Sequence, residues 1–337
     1  PPPPPPPPPP PISFFQPEDG TLDFCLSRWL GDVYKRQDQK ERSLKRIQKG
    51  CRFTNGCNVK VLHLFSSRVF AGLERHVEEL SFAQSLHCES TVIGPKKFKQ
   101  EFRAPYIEVN TNQWRYSPFL KSDLEKKINS LAPDIVHTHG SKMTDLISKD
   151  FKKEYIHCST IHGTKKDISP FQKTNFIFGA SKQSLRPGMK NSMVLENWVD
   201  EKRFINFKKK KPSNYIFVGR LEEVKNPMRL LKFWINCDAT LCIYGEGPLK
   251  EKMFKYIEDH DLDHRVFMRG QIKNISKAFE SAIALLIPSD REGSPKVLYE
   301  SLYSEVPVIS TNVGVMNDVL PKSCTVSYTH LTLPTKA

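Results

Sequence analysis

Apolar positions change their period along the chain, and the changes mark out the elements. From Val59 the run VKVLHLFSS reads as a strand, and GLERHVEELSFAQSL follows with Leu73, Val77 and Leu80 at helical spacing. STVIGP and YIEVN are further short apolar runs, PFLKSDLEKKINSL reads as a helix, and DIVHTHG, IHCSTIHG, NFIFGAS and SMVLENWV continue the strands. The polar, basic stretch DEKRFINFKKKKPSN reads as a linker whose lysines form a solvated face. Beyond it the alternation resumes more regularly. YIFVGR, ATLCIYG, RVFMRG, ALLIPS and PVISTN are five strand candidates separated by segments of helical length.

Short strands alternating with helices predict parallel sheets covered on both faces, hence an α/β chain of two Rossmann-like domains. The expected boundaries are residues 58–200 for the first domain, 201–213 for the linker and 214–325 for the second. Ligands of such sheets bind beyond the carboxyl ends of the strands, so the loops just after strands carry the chemistry. The ends of the chain differ from its middle. Residues 1–11 are all proline, an extended helix with no core of its own, and 1–57 as a whole reads as a low-complexity or non-native segment. DVYKRQ and the last stretch, VSYTHLTLPTKA (326–337), resemble translated sequencing-adapter read-through and are expected to be non-native.

A chain of 337 residues with 38% hydrophobic content is long and apolar enough for two cores, which excludes a disordered protein. The net charge of +14 favours an anionic partner: nucleic acid, an acidic membrane surface or a phosphorylated ligand. No nucleic-acid motif accompanies the charge and the lysines alternate with acids, so nucleic acid is not expected. Eight scattered cysteines without Cys-x-x-Cys spacing suggest reduced thiols in a cytoplasmic protein. No apolar run approaches the ~20 residues that span a bilayer, so membrane contact would be peripheral, on the inner face. GPKKFKQEFR (94–103) and SKDFKKEY (148–155) are the basic segments that would dock there.

Several loops after strands carry candidate chemistry. Arg220 and Lys225 follow YIFV, where a cation pair can hold phosphate oxygens, and Asn226-Pro227 reads as helix cap and first helical residue. The bland reading is a salt-bridged loop. IYGEGP is a tight turn, and the acidic EDHDLDH (258–264) a solvated one. His137 and His139 share a strand face, but no third ligand is evident nearby in the sequence, so no metal is expected. His162 falls where a strand should end. Glu292 and Glu300 flank Ser294-Pro295, read as helix cap and first helical residue, which puts Glu300 on the order of 9 Å along the helix. Between them lie the free amides and positive dipole end of the helix. The arrangement suits a ligand with hydroxyl-bearing ends and an anionic middle, such as a nucleotide-diphosphate sugar. A glycosidase carboxylate pair is the competing idea, and Arg220 and Lys225 count against it because neutral glycosides carry no phosphate.

In this order the motifs resemble the family-four retaining glycosyltransferases of the GT-B architecture, two Rossmann-like domains with the active site in the cleft between them. The resemblance covers roughly residues 58–322 through FAGLERHVEEL, PDIVHTHG, TIHGT, ENWVD with Phe204, FVGRLEEVKNP, IYGEGP and PSDREGSPKVLYESLYSEVPVIST. It implies metal-independent transfer of a sugar from a nucleotide-diphosphate donor, with no other cofactor, to a glycan or lipid-linked acceptor. Arg220 and Lys225 would neutralise the diphosphate, Glu292 would bind donor-sugar hydroxyls with the amides from Gly293 and Ser294, and Glu300 would hold the ribose. Gly72 would let the backbone approach the diphosphate, His162 would touch the transferred sugar, and the backbone at Gln271 and Ile272 would meet the base. The leaving diphosphate would take the acceptor's proton, making leaving-group stabilisation the main catalytic effect. Departures from the family pattern are Ala71, Glu305 and Val315 at glycine positions, and a missing carboxyl-terminal portion. A nucleotide-sugar epimerase of the same architecture is the alternative.

Overall fold

The computed structural model describes residues 59–150, 154–321 and 324–326. The proline run, the DVYKRQ piece and the tail from 327 onward lie outside the described residues. The first apolar runs become β1 (Lys60–Phe65), α1 (Gly72–Ser85), β2 (Glu89–Gly94), β3 (Tyr106–Glu108), α2 (Pro118–Leu131), β4 (Ile135–His139), α3 (Ser141–Asp150), β5 (Ile156–Ile161), α4 (Ser169–Gln172), β6 (Phe176–Gly179) and β7 (Ser192–Val194). All seven strands are parallel, in the order β3-β2-β1-β4-β5-β6-β7. β1, β4 and β5 are buried along nearly their whole length because helices cover both faces. Leu62, Leu64 and Val136 meet Leu120, Leu124 and Ile128 of α2 on one side, while Phe65 and Val92 meet Val77 of α1 on the other. Each such buried side chain contributes roughly 1.5–3 kcal/mol. Helix α2 starts where Ser117 Oγ accepts a hydrogen bond from Leu120 N, with Pro118 as its first residue.

The second half forms β8 (Asn214–Val218), α5 (Pro227–Trp234), β9 (Leu241–Tyr244), α6 (Lys250–Asp259), β10 (Val266–Gly270), α7 (Ser276–Phe279), β11 (Ala282–Ile287), α8 (Lys296–Tyr303), β12 (Val308–Thr311), α9 (Met316–Val319) and β13 (Thr325–Val326). The sheet is again parallel, in the order β10-β9-β8-β11-β12-β13. Its sixth strand, β13, goes beyond the five predicted: two residues pairing with Ser310 and Thr311 are too short to show an apolar period. The linker also holds more structure than its composition suggests. A 3-10 turn at Glu201–Phe204 buries Phe204 against Tyr303 of α8. In both sheets the strand order reverses beside the first strand, between β1 and β4 and between β8 and β11. A crevice opens at such switch points, beyond the carboxyl ends, and the loops there form one cleft.

Candidate active site

The cleft has a volume of about 580 Å³ and is lined by the loops after β1, β5, β8, β9, β10 and β11. All ten predicted positions, Gly72, His162, Arg220, Lys225, Gln271, Ile272, Glu292, Gly293, Ser294 and Glu300, lie on its wall. The two acids are deep: Glu292 is 7% exposed and Glu300 6%. Glu292 takes Lys225 Nζ at 2.6 and 2.7 Å on its two oxygens and the Ser289 hydroxyl at 2.6 Å. Glu300 accepts from Arg203 Nη1 at 2.6 Å. Arg203 sits in the linker, so reading that segment as a plain spacer hid a residue of the site.

The expected helix entrance needs correction. Pro295 is the cap residue, with Lys296 first in the helix, and the Ser294 hydroxyl donates to Tyr299 Oη at 3.0 Å instead of capping. A proline at the cap has no side-chain acceptor, so the helix amides stay open to the cleft. Asn226 holds the predicted cap position of α5, but in the left-handed region (φ 48°) its side chain donates to Asp290 Oδ1 at 2.9 Å. Lys225 is committed to Glu292. The cations left to the open cleft include Arg220, Arg291 and Lys165, with Arg68 at its edge. Arg220 contacts Glu222 at 3.1 Å, while Arg291 and Lys165 have no ion-pair partner among the described residues. Lys165 is held below the ordinary lysine value by burial and then by the Arg291 and Arg220 charges.

Glycines bring the two sheets together here. A Cβ on Gly293 would lie 2.6 Å from Gly163 Cα and from His162 O, so only glycine lets the β11 loop touch the β5 loop. Gly72 has nothing within 4 Å of such an atom and leaves space over the first loop. Two departures from the family pattern have little backbone cost. Ala71 is extended (φ −146°) and its N–H donates to Glu74 Oε2 at 2.7 Å, closing the start of α1. Val315 has φ −72° and is buried; the left-handed residue is its neighbour Gly314, φ +59°. Glu305, by contrast, carries φ +54°. Gln271 Nε2 donates to Phe70 O at 3.0 Å, tying the β10 loop to the β1 loop beside Ile272.

Two networks behind the wall were not read from the sequence. Lys296 Nζ donates to Glu79 Oε2 at 2.7 Å and to Trp198 O at 2.9 Å, and Arg203 lies 3.6 Å from Glu79. This buried group joins α1, the linker and α8. Burial raises the Glu79 carboxyl, and Lys296 opposes that rise. Its signal in the sequence was faint: Glu79 is one of three glutamates on the buried face of α1, beside Glu74 and Glu78. The second network corrects the search for a third histidine. His63, His137 and His139 bring ring nitrogens within 4.8 Å of one another, as do His76, His139 and His162. The parallel register sets His63 beside His137, a cross-strand pairing that spacing within one segment cannot reveal.

These rings form a hydrogen-bonded series. His162 Nε2 meets His139 Nδ1 at 3.2 Å, His139 Nε2 meets His63 Nδ1 at 3.1 Å, and His63 Nε2 meets Gln84 Oε1 at 2.6 Å. With Gln84 Oε1 as acceptor, each ring donates from Nε2 and accepts at Nδ1, so His162 is left with a bare Nδ1. Burial lowers His63 to about 4 and His76 to about 3, and holds His137, His139 and His162 well below the ordinary histidine value. The network is neutral. The basic segment 94–103 is also largely spoken for: Lys99 pairs with Glu108 at 3.0 Å, and Arg103 with Glu78 and Asp200 at 2.5 and 2.8 Å.

The match to known families falls on the half that holds the acids. Residues 199–323 are a Glycosyl transferases group 1 domain. This group 1 domain carries Arg203, Arg220, Lys225, Glu292 and Glu300. A Campylobacter jejuni GalNAc-alpha-(1->4)-GalNAc-alpha-(1->3)-diNAcBac-PP-undecaprenol alpha-1,4-N-acetyl-D-galactosaminyltransferase is 35% identical over 103 residues, 29% of this chain and 28% of that one. The Escherichia coli UDP-Gal:alpha-D-GlcNAc-diphosphoundecaprenol alpha-1,3-galactosyltransferase is 27% identical over 229 residues, 55% of this chain and 59% of that one. Both matches span less than two thirds of the relative. Anabaena Alr3699/HepE, solved with UDP-glucose, superimposes with TM-score 0.64 at 16% identity, over 78% of this chain and 83% of that one. The group 1 domain and the preceding sheet together have the GT-B fold. No helix among the described residues is long and apolar enough to cross a membrane.

Proposed function

We propose that this chain transfers a sugar, with retention and without a metal ion, from a nucleotide-diphosphate donor to a glycan or lipid-linked acceptor at the membrane surface. One observation carries the reading: Lys165 from the first sheet and Arg220 and Arg291 from the second converge on the cleft, and Lys165 and Arg291 lack a counter-charge among the described residues. Like charges so placed repel one another until an anion joins them, and a diphosphate supplies the missing charge. The open amides of α8 add to the same field. On either side, Glu292 and Glu300 are each held by a cation and keep lone pairs for hydroxyl groups, at the sugar and ribose ends respectively. Stabilising the departing diphosphate would be the main catalytic effect, with its oxygen taking the acceptor's proton. The names of the Campylobacter and Escherichia relatives, both with undecaprenol-linked acceptors, support a lipid-linked acceptor, and Alr3699/HepE supports a UDP-sugar donor.

Calorimetry with UDP, GDP and ADP tests the site. Arg220→Ala, Arg291→Ala and Glu300→Ala are each expected to weaken the preferred nucleotide by about 10- to 100-fold, since a charge-assisted hydrogen bond contributes roughly 1.5–3 kcal/mol. Unchanged affinity in all three variants overturns the assignment. Donor turnover with no acceptor present would favour the epimerase.

A further inference from the structure

The most exposed apolar side chains do not lie in the segments whose charge first suggested a membrane. Trp114, Tyr116 and Phe119 are 70%, 58% and 80% exposed and fall within six residues, the first two in the loop that leads into α2 and Phe119 in the first turn of the helix. Single exposed apolar side chains such as Leu86 and Ile205 are ordinary, but three large rings together mark an interaction surface. The backbone beneath them is tied down. Lys142 Nζ donates to Thr111 O at 2.6 Å and also to Gln113 O, Ser117 Oγ donates to Gln113 Oε1 at 2.9 Å, and Ser117 N donates to Trp114 O at 3.0 Å. Trp114 and Tyr116 pack edge to face with centroids 5.0 Å apart. The rings are thus presented on an ordered loop, which reduces the entropy lost when a partner is met.

The same loop reaches the cleft. Asn112 Nδ2 donates to Ser67 O at 2.7 Å and Ser66 Oγ donates to Thr111 O at 2.8 Å, and Ser66, Ser67 and Arg68 line the cleft. Arg115 pairs with Asp145 at 3.2 Å, but Arg68 and Lys142 have no ion-pair partner among the described residues, and Arg68 and Arg115 lie close enough to Lys142 to lower its ammonium further once burial has done so, so this edge carries unmatched positive charge. We propose that residues 114–119 are a membrane-docking surface, seating Trp114, Tyr116 and Phe119 at the headgroup level of an anionic bilayer. A lipid-linked acceptor would then enter the cleft past Ser66 and Ser67. Amphipathic rings beside cations suit that interface: tryptophan and tyrosine lie where one end of the ring is apolar and the other wet, and basic side chains meet acidic headgroups. This surface rests on the lipid-linked acceptor of the reading above, and it shifts the contact away from 94–103, whose Lys99 and Arg103 are ion-paired.

The test uses the full chain and the variant Trp114→Ser/Tyr116→Ser/Phe119→Ser with vesicles of phosphatidylcholine, with and without phosphatidylglycerol. Expected results are sedimentation of the wild type with the anionic vesicles, a blue shift of its tryptophan emission, and partition of the variant weaker by at least about tenfold. UDP affinity, measured without vesicles, should be equal in the two proteins. Equal partition of variant and wild type, or no partition of the wild type, overturns the surface while leaving donor binding to be judged by calorimetry. If neither protein binds a nucleotide yet the variant loses the vesicles, the donor reading fails and the surface stands. Conversion of a dimer to a monomer by the variant in sedimentation velocity would assign the rings to a second copy of the chain and overturn the proposal.

Discussion

On the first sheet's side of the cleft, five histidines meet through neutral hydrogen bonds and close ring contacts; on the second sheet's side, two buried carboxylates are each matched to a cation. Both groups are deep, yet their costs differ. A neutral imidazole loses only hydrogen bonds to water on burial, most of which its neighbours restore here, His76 Nε2 being the exception, whereas a buried carboxylate without a cation would cost several kcal/mol. The histidine side is therefore sensitive to protons and the carboxylate side to loss of a partner. The difference separates what holds the cleft together from what a ligand would meet.

The largest expected effect is on the ionic side. Lys296→Ala leaves buried Glu79 with only the longer 3.6 Å contact to Arg203 and should lower unfolding free energy by about 3 kcal/mol in urea titration, with much of it recovered when Glu79→Leu is added. A loss below about 1 kcal/mol would show that the pair is not sealed from water. Acid should find the histidine side. His63 and His76 titrate near 6.5 in the unfolded chain but are lowered to about 4 and about 3 in the folded one, so between these values the unfolded chain binds more protons. Their contribution is whole above pH ~6.5 and is lost as pH falls through about 4, on the order of 3 kcal/mol for His63 alone. Stability that stays level from pH 7 to pH 4.5 would contradict a neutral network.

Gln84→Leu probes the far end of the histidine series, about 1–3 kcal/mol for the buried donor it leaves unpaired. Nitrogen NMR of the His162 ring should also report mixed tautomers, which a purely structural role for Gln84 would not produce. The smallest effect is a control away from both networks. Glu305→Gly relieves a left-handed φ of +54° and should raise stability by about 0.5–1 kcal/mol, with no change in nucleotide affinity. A loss of stability there would mean that its 3.5 Å contact with Lys209 outweighs the backbone.

The alternation of apolar runs with helical segments was sufficient to predict two parallel sheets, even though β4 and β5 also bury histidines and threonines between their apolar positions. The loop residues of the second sheet were equally legible: Arg220, Lys225, Glu292 and Glu300 are charges just after strands or at a helix entrance, where polarity stands out. Partner choice was not legible. Lys225 lies 67 positions from Glu292 and Arg203 lies 97 from Glu300, and spacing carries no record of such pairings. Helix α3 was missed although Met143, Leu146 and Ile147 fall at helical spacing, and strand β13 because it is only two residues long.

Local chemistry along the chain, then, determined the elements, the loops that bear charge and the residue types on the cleft wall. Tertiary structure alone decided which acid holds which base, which cations are left to face the cleft, and that histidines on β1, β4 and the β5 loop share protons with Gln84. The reason is physical. Period and turn chemistry act within a few residues, while hydrogen bonds and ion pairs are settled by a few ångströms between atoms that only strand register and the approach of two sheets can set.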